Sequence, residues 1–467
     1  MNKSENIAGQ EKFNRLREEY PFMEYNGFEA RTDQAGLHVT YEFNLAGKYK
    51  FRPGFSIPKK KFFANFPTTE TLNSPLFVNL LFQIGLIELI SYWKSACPPR
   101  LIINGQTLTD KQIAWWKNVY YQGLGEFFYT NGIKTSQQEF MDMSSSGDSM
   151  AAQSVSLDET VIVPIGGGKD SVVTLELLGK SENIRPFIMN PRGATIECVR
   201  AAGFGNDGFI EVNRRLDPLL FELNANGFLN GHTPFSAMLA FYSLLVSAIS
   251  GHRHIALSNE SSANEPTVAG TDINHQYSKS FAFESGFRAY VNEFISADFN
   301  YFSFLRPLNE LQIARIFAEQ IKYYPVFKSC NAGSKTDVWC CNCPKCLFAF
   351  TILSPFIPMI ELVHIFGTNL FDSPKMLVYL KELTGIEEVK PFECVGTIDE
   401  VNAALHMFIA RHKNEKLPLL IDYYSNTTNF TPDNSELADK ILNEYNDDHF
   451  LESGFLEIIK QKLKWMN

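Results

Sequence analysis

A buried-strand pattern that runs directly into three glycines is the feature that most constrains the fold of this 467-residue chain. The segment Val161–Ser171 reads VIVPIGGGKDS, and a helical pattern follows it as far as Gly179. The glycines allow backbone N–H groups to approach an anion with no Cβ in the way, and the next helix points its positive end at the same place. Lys169 can add a positive charge for phosphate, and Asp170 can hold Mg²⁺. The segment therefore predicts a phosphate-binding loop between a strand and a helix.

The spacing of this loop excludes two common phosphate-binding motifs. A Walker A loop requires glycine at the position of Val163 and serine or threonine directly after the lysine, where Asp170 stands. The dinucleotide-binding fingerprint requires a third glycine at Ser171. What remains resembles the PP-loop, SGGxDS, of the ATP pyrophosphatase family, with Gly166 in place of the usual first serine. The plain alternative is a glycine-rich turn that precedes a helix.

The PP-loop resemblance implies that the loop binds ATP and Mg²⁺ and that ATP is cleaved between its α- and β-phosphates. The residues expected to bind the nucleotide are Gly166, Gly167, Gly168, Lys169, Asp170 and Ser171.

Strand and helix patterns alternate from about residue 156 to residue 350, which predicts an α/β fold with a parallel sheet and helices on both faces. The predicted strands are Thr160–Ile165, Pro186–Asn190, Phe209–Asn213 and His254–Ser258, and the predicted helices are Ser171–Gly179, Thr195–Ala202 and Ser236–Ser250. This region is expected to form the ATP-binding domain.

The flanking regions have different patterns. Residues 1–155 are predicted to form an α+β unit, with a hairpin over Gly36–Phe51, helical segments at Phe77–Trp93 and Asp110–Tyr129, and a serine-rich linker over Met141–Ser156. Residues 351–467 are predicted to be mainly helical.

Five of the eight cysteines fall between residues 330 and 346, which suggests a metal site in a reducing compartment. Four of them have the spacing Cys330-x9-Cys340-x2-Cys343-x2-Cys346. Four thiolates match the tetrahedral preference of Zn²⁺ and leave no open position, so the sequence predicts a structural zinc knuckle. Cys341 could replace Cys340 in this set, and redox-active or merely buried thiols are the alternative.

Charge and apolar patterning exclude some classes of partner. Lys plus Arg is 42 and Asp plus Glu is 52, so the net charge is −10. This balance argues against general binding to nucleic acid or to an anionic membrane. The apolar segments Ser236–Ser250 and Leu347–Ile360 are shorter than the ~20 residues of a spanning helix. We expect a soluble cytoplasmic protein with no nucleic-acid or membrane partner; protein partners are not predicted.

A PP-loop followed by a cysteine knuckle is similar to 7-cyano-7-deazaguanine synthases, which are much shorter than this chain. The wider pattern resembles the MurL family of UDP-N-acetylmuramoyl-L-alanyl-L-glutamate epimerases. The segments that carry this resemblance are Gly123–Ile133, Pro164–Ser171, Asn230–Ser243, Ala256–Thr267, Gln276–Glu284 and Cys341–Phe348.

The MurL resemblance implies that the terminal L-Glu of UDP-MurNAc-L-Ala-L-Glu is converted to D-Glu through an acyl-adenylate. ATP would give AMP and pyrophosphate, in the synthesis of peptidoglycan precursors. Two alternatives stay open at this point: another PP-loop adenylating enzyme, such as a nitrile-forming or tRNA-modifying one, and a zinc-stapled nucleotide-binding module without catalysis.

Candidates for proton transfer follow from the position of the predicted strand His254–Ser258, since ligands bind at the carboxyl ends of parallel strands. In order of preference they are Glu260, His275, Asp272 and His232. Each has an ordinary alternative role, as a helix cap or a surface group. Three arginines are candidates for binding the substrate's phosphates or carboxylates: Arg192, Arg214 and Arg288.

Overall fold

A computed structural model describes residues 3–63, 66–268, 270–334, 336–427 and 435–466. Its strands are β1 Phe22–Thr32, β2 Gly36–Leu45, β3 Tyr49–Phe51, β4 Gly54–Pro58, β5 Arg100–Thr107, β6 Asp142–Ser149, β7 Asp158–Pro164, β8 Ile184–Met189, β9 Ile210–Arg215, β10 His252–Leu257 and β11 Asn300–Ser303.

The first ten helices are α1 Lys3–Glu19, α2 Thr69–Leu72, α3 Pro75–Trp93, α4 Asp110–Gly123, α5 Gly125–Thr130, α6 Lys169–Leu178, α7 Gly193–Ala201, α8 Pro218–Ala225, α9 Phe235–Ser250 and α10 Phe281–Phe294. The later helices are α11 Glu310–Ala318, α12 Pro344–Leu353, α13 Met359–Phe366, α14 Leu377–Leu383, α15 Ile398–Arg411, α16 Leu419–Thr427, α17 Ser435–Asn443 and α18 Ser453–Met466. The prediction that residues 351–467 are mainly helical is confirmed for the part of this region that the structure describes.

The chain divides into two compact units that are interleaved along the sequence. The first unit consists of Met1–Ile162, Ile210–Ile255 and Tyr277–Tyr301. The second unit consists of Val163–Phe209, Ala256–Gln276 and Phe302–Asn467. The sequence-ordered boundaries near residues 155 and 350 stay a prediction about domains.

In the first unit, a mixed sheet has the strand order β9-β4-β2-β1-β5-β6, and β3 pairs with β2. The pairs β1–β2, β2–β4 and β4–β9 are antiparallel, whereas β1–β5 and β5–β6 are parallel. Strand β9 therefore corrects the expectation of a purely parallel sheet. Its backbone pairs antiparallel with β4, with Phe55 opposite Arg214.

The predicted hairpin is confirmed, since β2 and β3 are antiparallel with Phe43 opposite Phe51. Its turn contains Ala46 and Gly47 at φ of 52° and 71°. Two successive residues with positive φ produce the twist that suits a tight hairpin.

The prediction of a linker over Met141–Ser156 is wrong for its first half. Asp142–Ser149 forms strand β6, which pairs in parallel with β5 at the edge of the sheet. Most of its side chains are exposed. The backbone hydrogen bonds define this edge strand, and they do not require the large alternating side chains on which the prediction depended.

Helix α3 is apolar and long enough, at 19 residues, to cross a membrane by length and composition. However, 94% of its most apolar window is buried inside the protein. It packs against β1, β2 and α9. This burial is typical of the core helix of a globular unit.

The second unit contains β8 and the last residues of β7, β10 and β11, and the strand order here is β11-β10-β7-β8. The earlier residues of β10 and β7 belong to the first unit, where the two strands are parallel with Ile255 opposite Ile162. The segments after Pro164 and Leu257 therefore leave the sheet at the same edge. Helix α11 packs against α6, α12, α15 and α17, which brings the segment before α11 toward the same region.

The close packing of α3 on the sheet gives a prediction at Gly85. A Cβ at this position would lie 2.0 Å from Tyr25 Oη and 2.9 Å from Tyr41 Cδ1, and both rings are fully buried. We expect Gly85→Ala to lower the free energy of unfolding by about 1–3 kcal/mol, although alanine is the better helix former. Gly454→Ala is the control, because a Cβ on this α18 glycine meets no atom within 4 Å. Thermal denaturation of both variants tests this, and a Gly85→Ala protein as stable as wild type would contradict it.

Candidate active site

The glycine loop of residues 166–168 joins β7 to the N-terminus of α6. Gly167 has a φ of 81°, and a Cβ there would lie 3.2 Å from the carbonyl carbon of Ala194. Both features favour glycine at this position. Gly168 is the N-cap of α6, and no side chain in the described structure caps this helix end. The helix therefore presents a partial positive charge and backbone N–H groups at the loop, which is the arrangement that binds anions.

Gly166 departs from the serine of the PP-loop pattern, and the structure shows that a serine would fit. A Cβ built on Gly166 meets no atom within 4 Å. Arg192 Nη2 donates a hydrogen bond to the Gly166 carbonyl at 3.2 Å. This arginine, a sequence candidate for substrate binding, thus supports the glycine loop.

Three carboxylates come together beside the glycine loop. Oxygen atoms of Asp170, Glu260 and Glu310, which we call the carboxylate cluster, lie within 4.8 Å of one another. Lys169 forms ion pairs with both Asp170 and Glu310. The sequence predicted roles for Asp170 and Glu260 but did not predict that they meet, nor did it predict Glu310.

The electrostatics of the cluster are dominated by burial and by like charge. The pKa of Glu310 is raised to about 8, first by burial and then by the neighbouring charges of Asp170 and Glu260, against the opposing effect of Lys169. The Oε2 atom of Glu260 is buried and has no hydrogen-bond partner among the described residues. The cluster thus offers three carboxylates, and one of their oxygen atoms has no hydrogen-bond partner in the described chain. Such a set of ligands suits a divalent cation that prefers oxygen.

Glu260 is held in place through its backbone. Arg306, which is fully buried, donates from Nη1 to the Glu260 carbonyl at 2.6 Å and from Nη2 to Ser303 Oγ at 3.2 Å. Asn259 also donates to Ser303 Oγ, at 3.0 Å. Strand β11, which ends at Ser303, therefore fixes the segment that follows β10.

Glu310 is the first residue of α11, and a second buried carboxylate holds it there. Glu400 Oε1 accepts hydrogen bonds from Glu310 N and from Ser262 Oγ, both at 2.6 Å. Asn309 and Gln312 form a capping box at the start of α11. The sequence Asn-Glu-Leu-Gln at residues 309–312 is typical of a helix N-terminus with an acidic first turn, and this signal could have pointed to Glu310.

The other sequence candidates for proton transfer are not members of the carboxylate cluster. Asp272 is exposed, and His275 is half-buried, with its backbone N–H bonded to Thr267 Oγ1 at 3.0 Å. His232 belongs to the first unit, where its Nδ1 lies 3.3 Å from Glu126 Oε2. The role of each in catalysis stays a prediction.

Two arginine candidates in the first unit bind protein acceptors. Arg214 forms a two-point ion pair with buried Glu88, with N···O distances of 2.6 and 2.7 Å. Arg288 donates to Asn300 Oδ1 at 3.0 Å and to the Tyr301 carbonyl. To bind substrate, either arginine would have to give up or share its hydrogen bonds to these protein acceptors.

The predicted cysteine set forms one group, the four-cysteine cluster of Cys330, Cys340, Cys343 and Cys346. Three Sγ···Sγ distances are 3.8 Å for 330–343, 3.7 Å for 340–346 and 3.5 Å for 343–346. Cys341 lies differently, since its Sγ donates to the Phe366 carbonyl at 3.2 Å. The geometry thus favours Cys340 over Cys341 as the fourth member, an alternative that the sequence left open.

The segment around the four-cysteine cluster contacts the glycine loop and supports its conformation. Lys328 N donates to the Gly167 carbonyl at 2.8 Å, and Ser329 Cβ would lie 3.2 Å from a Cβ on Gly168. Asp337 accepts from the backbone N–H groups of Gly193 and Ala194, at 3.0 and 2.9 Å, and so caps helix α7. Helix α7 in turn packs against Gly167. The cysteine segment therefore has a direct structural connection to the loop.

Comparison with protein families gives two matches along the chain. Residues 14–304 match the model of the MurL N-terminal domain, and residues 326–438 match the model of the MurL C-terminal domain. The first match alone covers more than half of the sequence. The chain belongs to the MurL family.

Curated relatives in the MurL family have substantial identity to the chain. A protein of Xanthomonas oryzae pv. oryzae is 36% identical over 338 residues, which are 70% of this chain and 74% of the relative. A protein of Salinispora tropica is 37% identical over 332 residues, 69% of this chain and 72% of the relative. Both are named UDP-N-acetyl-alpha-D-muramoyl-L-alanyl-L-glutamate epimerase. No solved structure matches the chain.

The two MurL matches contain most of the residues of the candidate site. The glycine loop and Glu260 fall in the N-terminal match, and the four-cysteine cluster falls in the C-terminal match. Glu310 lies in the segment between the two matches, so the carboxylate cluster is completed from outside both.

Proposed function

We propose that this chain is an ATP-dependent epimerase that converts the terminal L-Glu of UDP-MurNAc-L-Ala-L-Glu to D-Glu in cytoplasmic synthesis of peptidoglycan precursors. Membership of the MurL family and the shared name of its curated relatives support the substrate and the reaction. The observation that carries the ATP requirement is the uncapped N-terminus of α6, with its glycine loop, beside the carboxylate cluster.

The chemistry explains why an epimerase would use ATP. An α-proton beside a free carboxylate is hard to remove, because the resulting carbanion would lie next to a negative charge. If a carboxylate oxygen attacks the α-phosphorus of ATP, the bond to the β-phosphate breaks and pyrophosphate leaves. The acyl-adenylate is a mixed anhydride that acidifies the Cα–H bond. A base then removes the proton, protonation from the opposite face inverts the centre, and water releases AMP.

The carboxylate cluster fits Mg²⁺, because Asp170, Glu260 and Glu310 offer oxygen ligands and one Glu260 oxygen has no protein partner in the described chain. A bound Mg²⁺ would neutralise charge on the phosphates. Lys169, paired with two of the three carboxylates, holds them together and adds positive charge at the glycine loop.

The four-cysteine cluster fits a structural Zn²⁺. A tetrahedron with Zn–S bonds of about 2.3 Å has S···S edges of about 3.8 Å, and the three distances given above are 3.5–3.8 Å. Gly333 N also donates to Cys330 Sγ at 3.1 Å, which stabilises a thiolate. Zinc there would hold the segment that braces the glycine loop.

One assay tests the proposed function against its alternatives. The protein is incubated with ATP, Mg²⁺ and UDP-MurNAc-L-Ala-L-Glu, and AMP release and glutamate chirality are measured. We expect both AMP and D-Glu. AMP without inversion would indicate another adenylating enzyme, and no AMP would indicate a nucleotide-binding module without catalysis.

Asp170 gives the most direct test of the carboxylate cluster. We expect Asp170→Asn to lower AMP formation at least about 100-fold with little change in fold, because the charge is lost at nearly constant shape. Asp372→Asn is the matched control, since this exposed aspartate accepts a bond from Leu419 N at 3.1 Å, away from the cluster. Normal AMP formation by a folded Asp170→Asn protein would exclude the assignment.

The zinc assignment predicts different behaviour for neighbouring cysteines. We expect one zinc per chain in reduced protein, lost in Cys343→Ser and retained in Cys341→Ser, which removes only the thiol bonded to Phe366. The first variant should also lose at least about 2 kcal/mol of unfolding free energy. Metal analysis and thermal denaturation measure both effects, and metal-free wild-type protein would show the assignment to be wrong.

Proton transfer can be separated from activation by exchange in D₂O. Since Glu260 lies in the carboxylate cluster, we expect Glu260→Gln to lower both pyrophosphate formation and α-deuterium incorporation. His275→Gln should keep pyrophosphate formation and lower incorporation about 10²–10⁴-fold, the usual contribution of a general base. If Glu260→Gln instead kept pyrophosphate formation and His275→Gln lost it, the two residues would exchange roles. If the wild-type protein incorporated α-deuterium without ATP, activation would not precede proton removal, and the proposed order of steps would be wrong.

A further inference from the structure

Lys345, the second residue of α12, is a mostly buried lysine that the proposed mechanism does not yet use. Its residue exposure is only 9%, and its Nζ lies 5.5 Å from the centre of the Phe348 ring. Among the described residues it has no hydrogen-bond acceptor and no ion-pair partner within 4.0 Å. Lys345 Nζ is not among the fully buried polar atoms that lack a partner, so this ammonium is open to water or to a ligand.

Contacts at Gly396 place Lys345 on the side of the carboxylate cluster. A Cβ on Gly396 would lie 3.2 Å from Phe348 Cε2 and 3.2 Å from Glu310 Cγ, so the ring under Lys345 and the Glu310 side chain border the same point. The electrostatics agree with this location. Burial raises the pKa of Glu310, and Lys345 is one of the two lysines that oppose the rise.

The two lysines of this region differ in their partners. The Nζ of Lys169 is bonded to Asp170 and Glu310, so its charge is already compensated. Lys345 lies near Glu310 without contacting it. The ammonium of Lys345 is therefore available to an anionic group that contacts it directly.

We propose that Lys345 binds the β- and γ-phosphates of ATP and stabilises the pyrophosphate that leaves. This inference rests on the proposed function. Cleavage between the α- and β-phosphates transfers negative charge to the leaving group, and a fixed cation in a water-poor site is effective against such charge. AMP lacks both of these phosphates, so Lys345 should distinguish ATP from AMP.

The experiment compares binding of AMP with binding of α,β-methylene-ATP, which cannot be cleaved at the α–β bridge, by calorimetry with Mg²⁺ present. The variants are Lys345→Met, Lys345→Arg and the control Lys381→Met, because Lys381 makes the same kind of contact with Tyr423 at 5.6 Å. Loss of a charged hydrogen bond predicts roughly 10- to 100-fold weaker binding of the ATP analogue by Lys345→Met. Binding of AMP should be unchanged, and Lys345→Arg and Lys381→Met should bind both ligands as wild type does.

Other results would overturn the proposal. Equal weakening of both ligands would show a general effect on the fold, which the melting temperature and Lys345→Arg would also reveal. Unchanged binding of the ATP analogue with a raised KM for the muramoyl dipeptide would assign Lys345 to a substrate carboxylate. Unchanged binding with loss of zinc would assign it to charge balance beside Cys343 and Cys346. If wild-type protein binds neither nucleotide, the proposed function itself fails, and this inference with it.

Discussion

The ammonium of Lys169 lies between the carboxylates of Asp170 and Glu310, and the candidate site depends on this arrangement. Asp170 follows Lys169 in the chain, whereas Glu310 comes from a distant helix. The carboxylate cluster places three carboxyl groups within 4.8 Å, two of them on buried residues, and the lysine compensates their charge. Removing one partner of a buried ion pair typically costs about 3–5 kcal/mol, because the remaining charge is left uncompensated. Lys169 therefore links the glycine loop to α11 as well as offering charge to a ligand.

The glycine loop is also held from its other side. Lys328 bonds to Gly167, and Asp337 caps helix α7, which packs against the same glycine. Both residues lie in or next to the segment that contains the four-cysteine cluster. A loop of glycines has little conformational preference of its own, so its shape must come from such contacts. This gives the cysteine segment a function in positioning the loop, even though a four-thiolate metal site has no open position for catalysis.

The parts of the site that could be predicted from sequence are local ones. The strand, the three glycines and the start of α6 are consecutive, and the cysteine spacing lies within one short segment. Glu310 and Arg306 could not be predicted, because their roles come from packing of α11 against α6 and from the adjacency of β10 and β11. The errors in the fold have a similar origin. Strand β6 has no apolar alternation, and the antiparallel pairing of β9 with β4 joins segments more than a hundred residues apart in sequence.

Two helices begin at the carboxylate cluster, α6 at Lys169 and α11 at Glu310. The N-terminus of each favours negative charge, whether from a phosphate or from a carboxylate in the first turn. Asp170 and Glu310 occupy those first turns, so on charge alone they would compete with phosphate for the same helix ends. A divalent cation removes the competition, since it binds carboxylate and phosphate oxygens together. The same arrangement gives separate roles to two lysines. The charge of Lys169 is compensated by Asp170 and Glu310, whereas Lys345 has no hydrogen-bond or ion-pair partner in the described structure. In the proposed function, Lys169 would stabilise the acids when no nucleotide is bound, and Lys345 would bind the charge that the nucleotide brings.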